Sequence, residues 1–117
     1  MSSWLVTGGA GYIGAHIVRA FDAVGIEPVV YDDLSSGRAG FVPDGVPFVQ
    51  GDILDVDLLT DTLDAHQCAG VVHVAGFKYA GVSVSRPLHT YNQNVTGTAK
   101  VLDAMHRAGV NRMVFSS

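Results

Sequence analysis

Thr7-Gly8-Gly9-Ala10-Gly11-Tyr12-Ile13-Gly14 stands between an apolar run, Trp4-Leu5-Val6, and a stretch with apolar residues at helical spacing. Three of its glycines have separate jobs in a turn leading from a strand into a helix. Gly8 permits the tight turn, Gly11 lets the backbone approach a pyrophosphate, and Gly14 lets helix and strand pack closely. The amides at the helix start and the positive end of its dipole then face the anion. A glycine triplet alone is a weak signal. The strand before it and the helix after it supply the required context.

The next apolar run, Val29-Val30-Tyr31, ends at Asp32-Asp33. Asp32 lies about 20 residues past the motif, where the dinucleotide fingerprint places an acid. A carboxylate there accepts hydrogen bonds from the adenosine ribose hydroxyls and repels a 2′-phosphate, which favours NAD over NADP. The bland alternative makes Asp32 and Asp33 solvated strand-end residues. Arg38 reads as a surface-loop arginine rather than a partner for a 2′-phosphate. After a third short run, Phe48-Val49-Gln50, comes Asp52-Ile53. An aspartate there can bond an adenine amine while the Ile53 N–H meets a ring nitrogen, but Asp52 taken alone is equally a turn residue.

Outward from these anchors, strands alternate with helices. The spacing predicts a helix from Tyr12 to Val24, with Ile13, Ile17, Val18, Phe21 and Val24 on its apolar face and a stop at Gly25. A loop from Leu34 to Gly45 carries Ser-Ser-Gly and Pro-Asp-Gly turn signals. Asp55 caps a helix bearing Val56, Leu59 and Leu63. Gly70-Val71-Val72-His73-Val74 is a fourth strand. A long helix begins near Pro87, buries Val95, Ala99, Leu102 and Met105, and stops at Gly109. Arg112-Met113-Val114-Phe115 starts a fifth strand, left as an apolar edge. This is the pattern of βαβ units with right-handed crossovers. The predicted fold is α/β, a doubly wound parallel sheet of the Rossmann type with strand order 3-2-1-4-5, making one domain of residues 1–117.

Composition agrees. The 117 residues are 48% hydrophobic and 15% charged, enough for a core and against disorder. The single cysteine excludes a disulfide framework and fits a reducing, cytoplasmic setting. No run approaches 18 apolar residues, so neither a membrane span nor a membrane partner is expected. The N-terminus lacks a signal-peptide pattern. A net charge of −4 disfavours nucleic acid. Five histidines, His16, His66, His73, His89 and His106, share no metal-ligand spacing. His16 and His73 read as core histidines satisfied by a backbone group. No tyrosine is followed by a lysine four residues later; Tyr79 meets Ser83 and Tyr91 meets Val95.

Together, Thr7 through Gly14, Tyr31-Asp32-Asp33-Leu34-Ser35-Ser36-Gly37, Gly51-Asp52-Ile53, His73-Val74-Ala75-Gly76-Phe77-Lys78 and Asn94-Val95-Thr96-Gly97-Thr98 resemble the extended short-chain dehydrogenase/reductase family. Within it, Ala75-Gly76-Phe77-Lys78 is similar to the UDP-sugar epimerases, since the related dehydratases usually place Glu-Ser-His there. The resemblance spans essentially the whole chain. It implies that Tyr12 and Ile13 give backbone contacts to the pyrophosphate and that Asp32, Asp33, Leu34, Ser35, Ser36 and Gly37 surround the adenosine ribose. It further implies that Asp52 and Ile53 border the adenine, and that Val74, Ala75, Gly76, Phe77 and Lys78 run toward the nicotinamide. Lys78 then compensates phosphate charge.

Two departures bear on the sugar rather than on the cofactor. Gly81-Val82-Ser83-Val84 stands where epimerases commonly read Gly-Glu-Ser-Val, and Gln93-Asn94-Val95 where they read Asn-Asn-Val. Gln93 keeps the amide, one methylene longer. In the family, the strand holding Val114-Phe115-Ser116-Ser117 continues into the catalytic Ser/Thr, and a Tyr-x-x-x-Lys pair lies further on. No catalytic residue is therefore assigned here, and Ser116 and Ser117 do not take that role.

The expected function is the NAD-binding, N-terminal part of an NAD-dependent UDP-sugar epimerase of galactose metabolism, inactive alone and a homodimer in its complete form. Two alternatives stay open: another extended-family dehydratase or decarboxylase, or a non-catalytic NAD-binding regulator of a partner protein.

Overall fold

A computed structural model describes residues 2–34, 39–74 and 95–115. Five strands form one parallel sheet: β1 (Ser3–Thr7), β2 (Glu27–Asp32), β3 (Phe48–Gln50), β4 (Cys68–His73) and β5 (Met113–Phe115). Their order is β3-β2-β1-β4-β5, as the alternating pattern predicts. Helices α1 (Tyr12–Ala23), α2 (Val56–Ala65) and α3 (Gly97–Ala108) connect them. A 3₁₀ turn, Ala39–Phe41, lies between β2 and β3.

The two-residue period of a strand divides the core into two layers. Leu5, Val29, Tyr31 and Val71 point to one face and pack with Leu59 and Leu63 of α2 and Val101, Ala104 and Met105 of α3. Val6, Val30 and Val72 point to the other face, against Val18 of α1, with Trp4, Ile17 and Phe21 at the margin. Both faces being covered explains why the strands read as unbroken apolar runs.

Helix boundaries follow their signals. The Asp55 carboxylate accepts from the Leu58 amide at 3.1 Å, satisfying one orphan donor of α2. Gly25 and Gly109 take left-handed φ of +81° and +74° at the ends of α1 and α3. The Pro-Asp-Gly turn closes with the Val46 amide on the Pro43 carbonyl at 3.2 Å and Gly45 at φ +84°.

Three expectations are corrected. β4 begins two residues earlier than Gly70, at Cys68, because β1 extends back to Ser3 and pairs with it. Val95, just before α3, and Ala99 and Leu102 on it are exposed; the buried side of α3 is Gly97, Val101, Ala104 and Met105. Both stripes have helical spacing, but the small residues at 97 and 104 allow the closer approach to the sheet and α2. Val24 and Ile13 are exposed as well, since α1 ends at Ala23 and its first turn stands clear of the sheet. The start of the long helix at Pro87 lies outside the described residues.

At the sheet margin Val114 and Phe115 are exposed, in line with the apolar edge expected of β5. Among the described residues, no helix is long and apolar enough to cross a membrane.

Candidate functional site

In an open parallel sheet, ligands bind beyond the carboxyl ends of the strands, where the winding reverses. Here that point lies between β1 and β4. The Gly8–Gly11 turn leaves β1 at this end and delivers the chain into α1. Gly8 has φ +71°, and its amide donates to the Tyr31 carbonyl at 2.8 Å. The Gly11 amide donates to the Gly8 carbonyl at 3.0 Å, and the Ala15 amide to the Gly11 carbonyl at 2.8 Å.

The glycines divide by cause. A Cβ at Gly14 would run into the Gly8 carbonyl oxygen and lie 2.7 Å from the Gly9 Cα, so the fold itself demands glycine there. Gly9 is closed off by Val30 Cγ1 at 2.9 Å. Gly11 differs. Its φ of −82° is ordinary, and a Cβ would meet only the Gly8 carbonyl oxygen at 3.3 Å. A side chain at Gly11 needs a few tenths of an ångström of give from the Gly8 carbonyl, a far smaller conflict than at Gly14 or Gly9.

Gly11 caps α1 without a side-chain bond, and the first turn carries no acid. The amides of Tyr12, Ile13 and Gly14 therefore have no carbonyl partner within the helix and point beyond its positive end. Tyr12 is 76% exposed and stands edge-on to His16, with ring centroids 4.8 Å apart. His16 is thus a surface residue and not the expected core histidine. The amides of Gly8, Ala10 and Gly11 are already bonded within the protein, so the bare donors are fewer than the motif alone implies.

Asp32 holds the Ala10 amide. It is buried at 7% exposure; Oδ2 accepts from Ala10 N at 3.0 Å and Oδ1 from Leu34 N at 2.7 Å. Burial raises its pKa, the two backbone donors pull it back down, and the neighbouring Asp33 charge raises it again. Each carboxylate oxygen keeps a second lone pair for a ligand hydroxyl. Asp33 is partly exposed beside it. Leu34 adopts the left-handed φ of +63°, which a branched side chain takes only when held; the Asp32 carboxylate holds it. Ser35, Ser36 and Gly37 lie outside the described residues.

After β3, the exposed Asp52 forms a local turn, its Oδ1 accepting from the Leu54 amide at 2.9 Å. Ile53 is buried in the first core layer, which leaves only its backbone for a ligand. Turn and adenine-contact readings of Asp52 are compatible, because one carboxylate oxygen is not used in the turn bond. Val74 is buried, its amide donating to Thr7 Oγ1 at 3.0 Å and to the Thr7 carbonyl at 3.2 Å. Ala75, Gly76, Phe77, Lys78 and Gln93 lie outside the described residues.

Two features escaped sequence reasoning. One is a buried polar chain: Thr7 Oγ1 lies 2.7 Å from His73 Nδ1, and His73 Nε2 lies 3.2 Å from Thr98 Oγ1. The partners of His73 thus include two hydroxyls. It joins the ends of β1 and β4 to the start of α3. Thr7, a hydroxyl closing an otherwise apolar strand, was the available signal. The other is the Tyr31 hydroxyl, which donates to the Asp52 carbonyl at 2.7 Å.

The pattern of the NAD dependent epimerase/dehydratase family matches residues 4–117. The chain belongs to that family. It is 44% identical over 113 residues to UDP-glucose 4-epimerase of Azospirillum brasilense, an alignment covering 97% of this chain and 32% of that protein. UDP-glucose 4-epimerase from Brucella ovis, solved in complex with NAD, superposes with a TM-score of 0.95 at 41% identity, covering 100% of this chain and 36% of that one. The enzyme from Stenotrophomonas maltophila, solved with NAD and formylated UDP-arabinopyranose, gives 0.95 at 35% identity, covering 100% and 37%. The chain thus spans about a third of the length of these relatives.

Proposed function

We propose that residues 1–117 form the NAD-binding domain of an NAD-dependent UDP-glucose 4-epimerase. The observation that carries this reading is the joint arrangement at the ends of β1 and β2. Uncapped amides at the start of α1 face one way, and a buried, pre-oriented Asp32 carboxylate stands one strand over. Family membership and NAD-bound neighbours of matching fold support it.

The residues fit the group. Gly8, Gly11 and Gly14 shape the turn, Tyr12 and Ile13 offer amides to the pyrophosphate, and Asp32, Asp33 and Leu34 border the ribose with Ser35, Ser36 and Gly37. Asp52 and Ile53 border the adenine. Val74, Ala75, Gly76, Phe77, Lys78 and Gln93 belong to the nicotinamide side. NAD, when bound, supplies the acceptor and donor of hydride; this chain supplies placement and electrostatics. UDP-galactose and UDP-glucose are the proposed substrates of the complete enzyme, a homodimer its proposed form and the cytoplasm its compartment.

Calorimetry with NAD and NADP tests the reading. NAD is expected to bind and NADP to bind at least tenfold more weakly, since a 2′-phosphate beside Asp32 costs upwards of about 1.4 kcal/mol. Absence of heat with either coenzyme overturns it. These 117 residues contain no Tyr-x-x-x-Lys and are expected to show no turnover of UDP-galactose alone.

Gly11→Ala separates site from scaffold. It is expected to lower the unfolding free energy by no more than about 1 kcal/mol, since the Gly8 carbonyl has to give by only a few tenths of an ångström. NAD affinity is expected to fall about 100-fold, because the methyl occupies the phosphate's approach. Equal affinity for NAD would show that the pyrophosphate does not sit against Gly11.

A further inference from the structure

Tyr31 is fully buried in the first core layer, where a phenylalanine would fill the same volume. A hydroxyl taken into a core costs free energy unless it is bonded. This one donates to the Asp52 carbonyl across 21 residues of sequence at 2.7 Å. That carbonyl has another partner, the Asp55 amide at 3.0 Å, so the turn does not depend on the phenol to be satisfied. Room for the hydroxyl is reserved. A Cβ at Gly51 would lie 2.6 Å from the phenol oxygen and 2.6 Å from Leu58 Cδ2.

The same dipeptide reaches the other cofactor segments through its backbone. The Tyr31 carbonyl accepts from Gly8 at 2.8 Å, and the Asp32 carbonyl accepts from Gly51 at 3.1 Å. Strand β2 therefore fixes the phosphate turn on one side and the turn after β3 on the other. Burial, and then the nearby Asp55, Asp52 and Asp33 carboxylates, push the phenol well above its ordinary range. It stays a donor at any physiological pH.

Resting on the NAD-binding reading, we propose that Tyr31 is a positioning residue for base selectivity. Its hydroxyl fixes the Asp52 peptide so that the Asp52 carboxylate and the Ile53 amide meet the adenine edge. The ring contributes to the core; the hydroxyl contributes to recognition.

The test compares the dissociation constants of NAD and its hypoxanthine analogue, which carries a carbonyl oxygen in place of the adenine amine. The parent chain is expected to prefer NAD by about tenfold, one hydrogen bond's worth of discrimination. Tyr31→Phe is expected to narrow that ratio to about twofold, chiefly through weaker NAD binding. Gly51→Ala, which displaces the phenol oxygen from the opposite side, is expected to narrow it likewise and carries the test if Tyr31→Phe does not fold.

A purely structural tyrosine would weaken both dinucleotides by one factor and leave the ratio intact; that result overturns the proposal. A parent chain that binds NAD and its analogue equally also overturns it, while leaving the NAD-binding reading in place. A parent chain that binds neither removes both.

Discussion

Gly14→Ala is expected to cost the domain a large part of its stability, and to weaken dinucleotide binding with it. The added methyl meets only main chain: the Gly8 carbonyl oxygen, the Gly8 carbonyl carbon at 2.7 Å and the Gly9 Cα at 2.7 Å. No side chain can rotate away. The turn cannot retreat either, because the Gly8 amide is tied to Tyr31 and the Gly8 carbonyl to Gly11. Helix α1 must tilt off the sheet, opening the layer that buries Ala15 and Val18.

Overpacking typically costs about 1–3 kcal/mol and occasionally more; a collision with main chain alone stands at the top, about 4 kcal/mol, and the better helix propensity of alanine returns about 1 kcal/mol. A net loss of about 3 kcal/mol is expected against a typical domain total of 5–15 kcal/mol. Urea unfolding followed by circular dichroism would register it as a midpoint about 2 M lower. An unmoved midpoint would mean that α1 and the turn are not in the contact described. Gly11→Ala is the control, three residues away and without a comparable collision.

Asp32→Ala is expected to abolish high-affinity NAD binding while changing stability less. The substitution removes the acceptor proposed for two ribose hydroxyls. Hydrogen bonds to a charged group contribute about 1.5–3 kcal/mol each, so a loss of about 3 kcal/mol, or roughly 100-fold in dissociation constant, is expected. It also orphans the amides of Ala10 and Leu34 and frees Leu34 from its left-handed conformation. Against this, a buried carboxylate is released from the core.

The pH dependence separates the two effects. Burial leads the causes that raise the Asp32 pKa above its ordinary 3.8. For a raised acid, the stabilising contribution is complete below the ordinary value and disappears as pH climbs through the folded value. Parent stability should therefore decline with rising pH just above 3.8, a slope that Asp32→Ala flattens. NAD affinity moves the other way, since the ribose needs the ionised acceptor. A variant that keeps its affinity within threefold, or a parent whose binding does not strengthen as pH rises through that window, would remove Asp32 from the site.

Much of this protein was legible before any coordinate. Strand–helix alternation gave the order of the sheet, because parallel neighbours must be joined by crossovers of limited handedness. Gly8, Gly14, Gly25 and Gly109 were legible because each answers to a local demand, a turn, a close approach or a helix stop. Asp32 was legible by its distance from the glycines. The buried side of α3 was not: two stripes at helical spacing compete on one helix, and only the partner surface chooses between them. The environment of His73 was not legible either, since its hydroxyl partners are 66 and 25 residues away.

By itself, then, the order of residues determined the winding of the sheet, the turn that bares its amides and the strand end that carries an acid. These depend on backbone freedom and on periodicity, which are properties of neighbours along the chain. Tertiary structure alone decided that Asp32 is locked to Ala10 and Leu34, that Gly11 is far less crowded than Gly14, and that a phenol from β2 bonds to the turn after β3. Such facts depend on which distant groups arrive within hydrogen-bond or van der Waals distance, and no spacing along the chain encodes that.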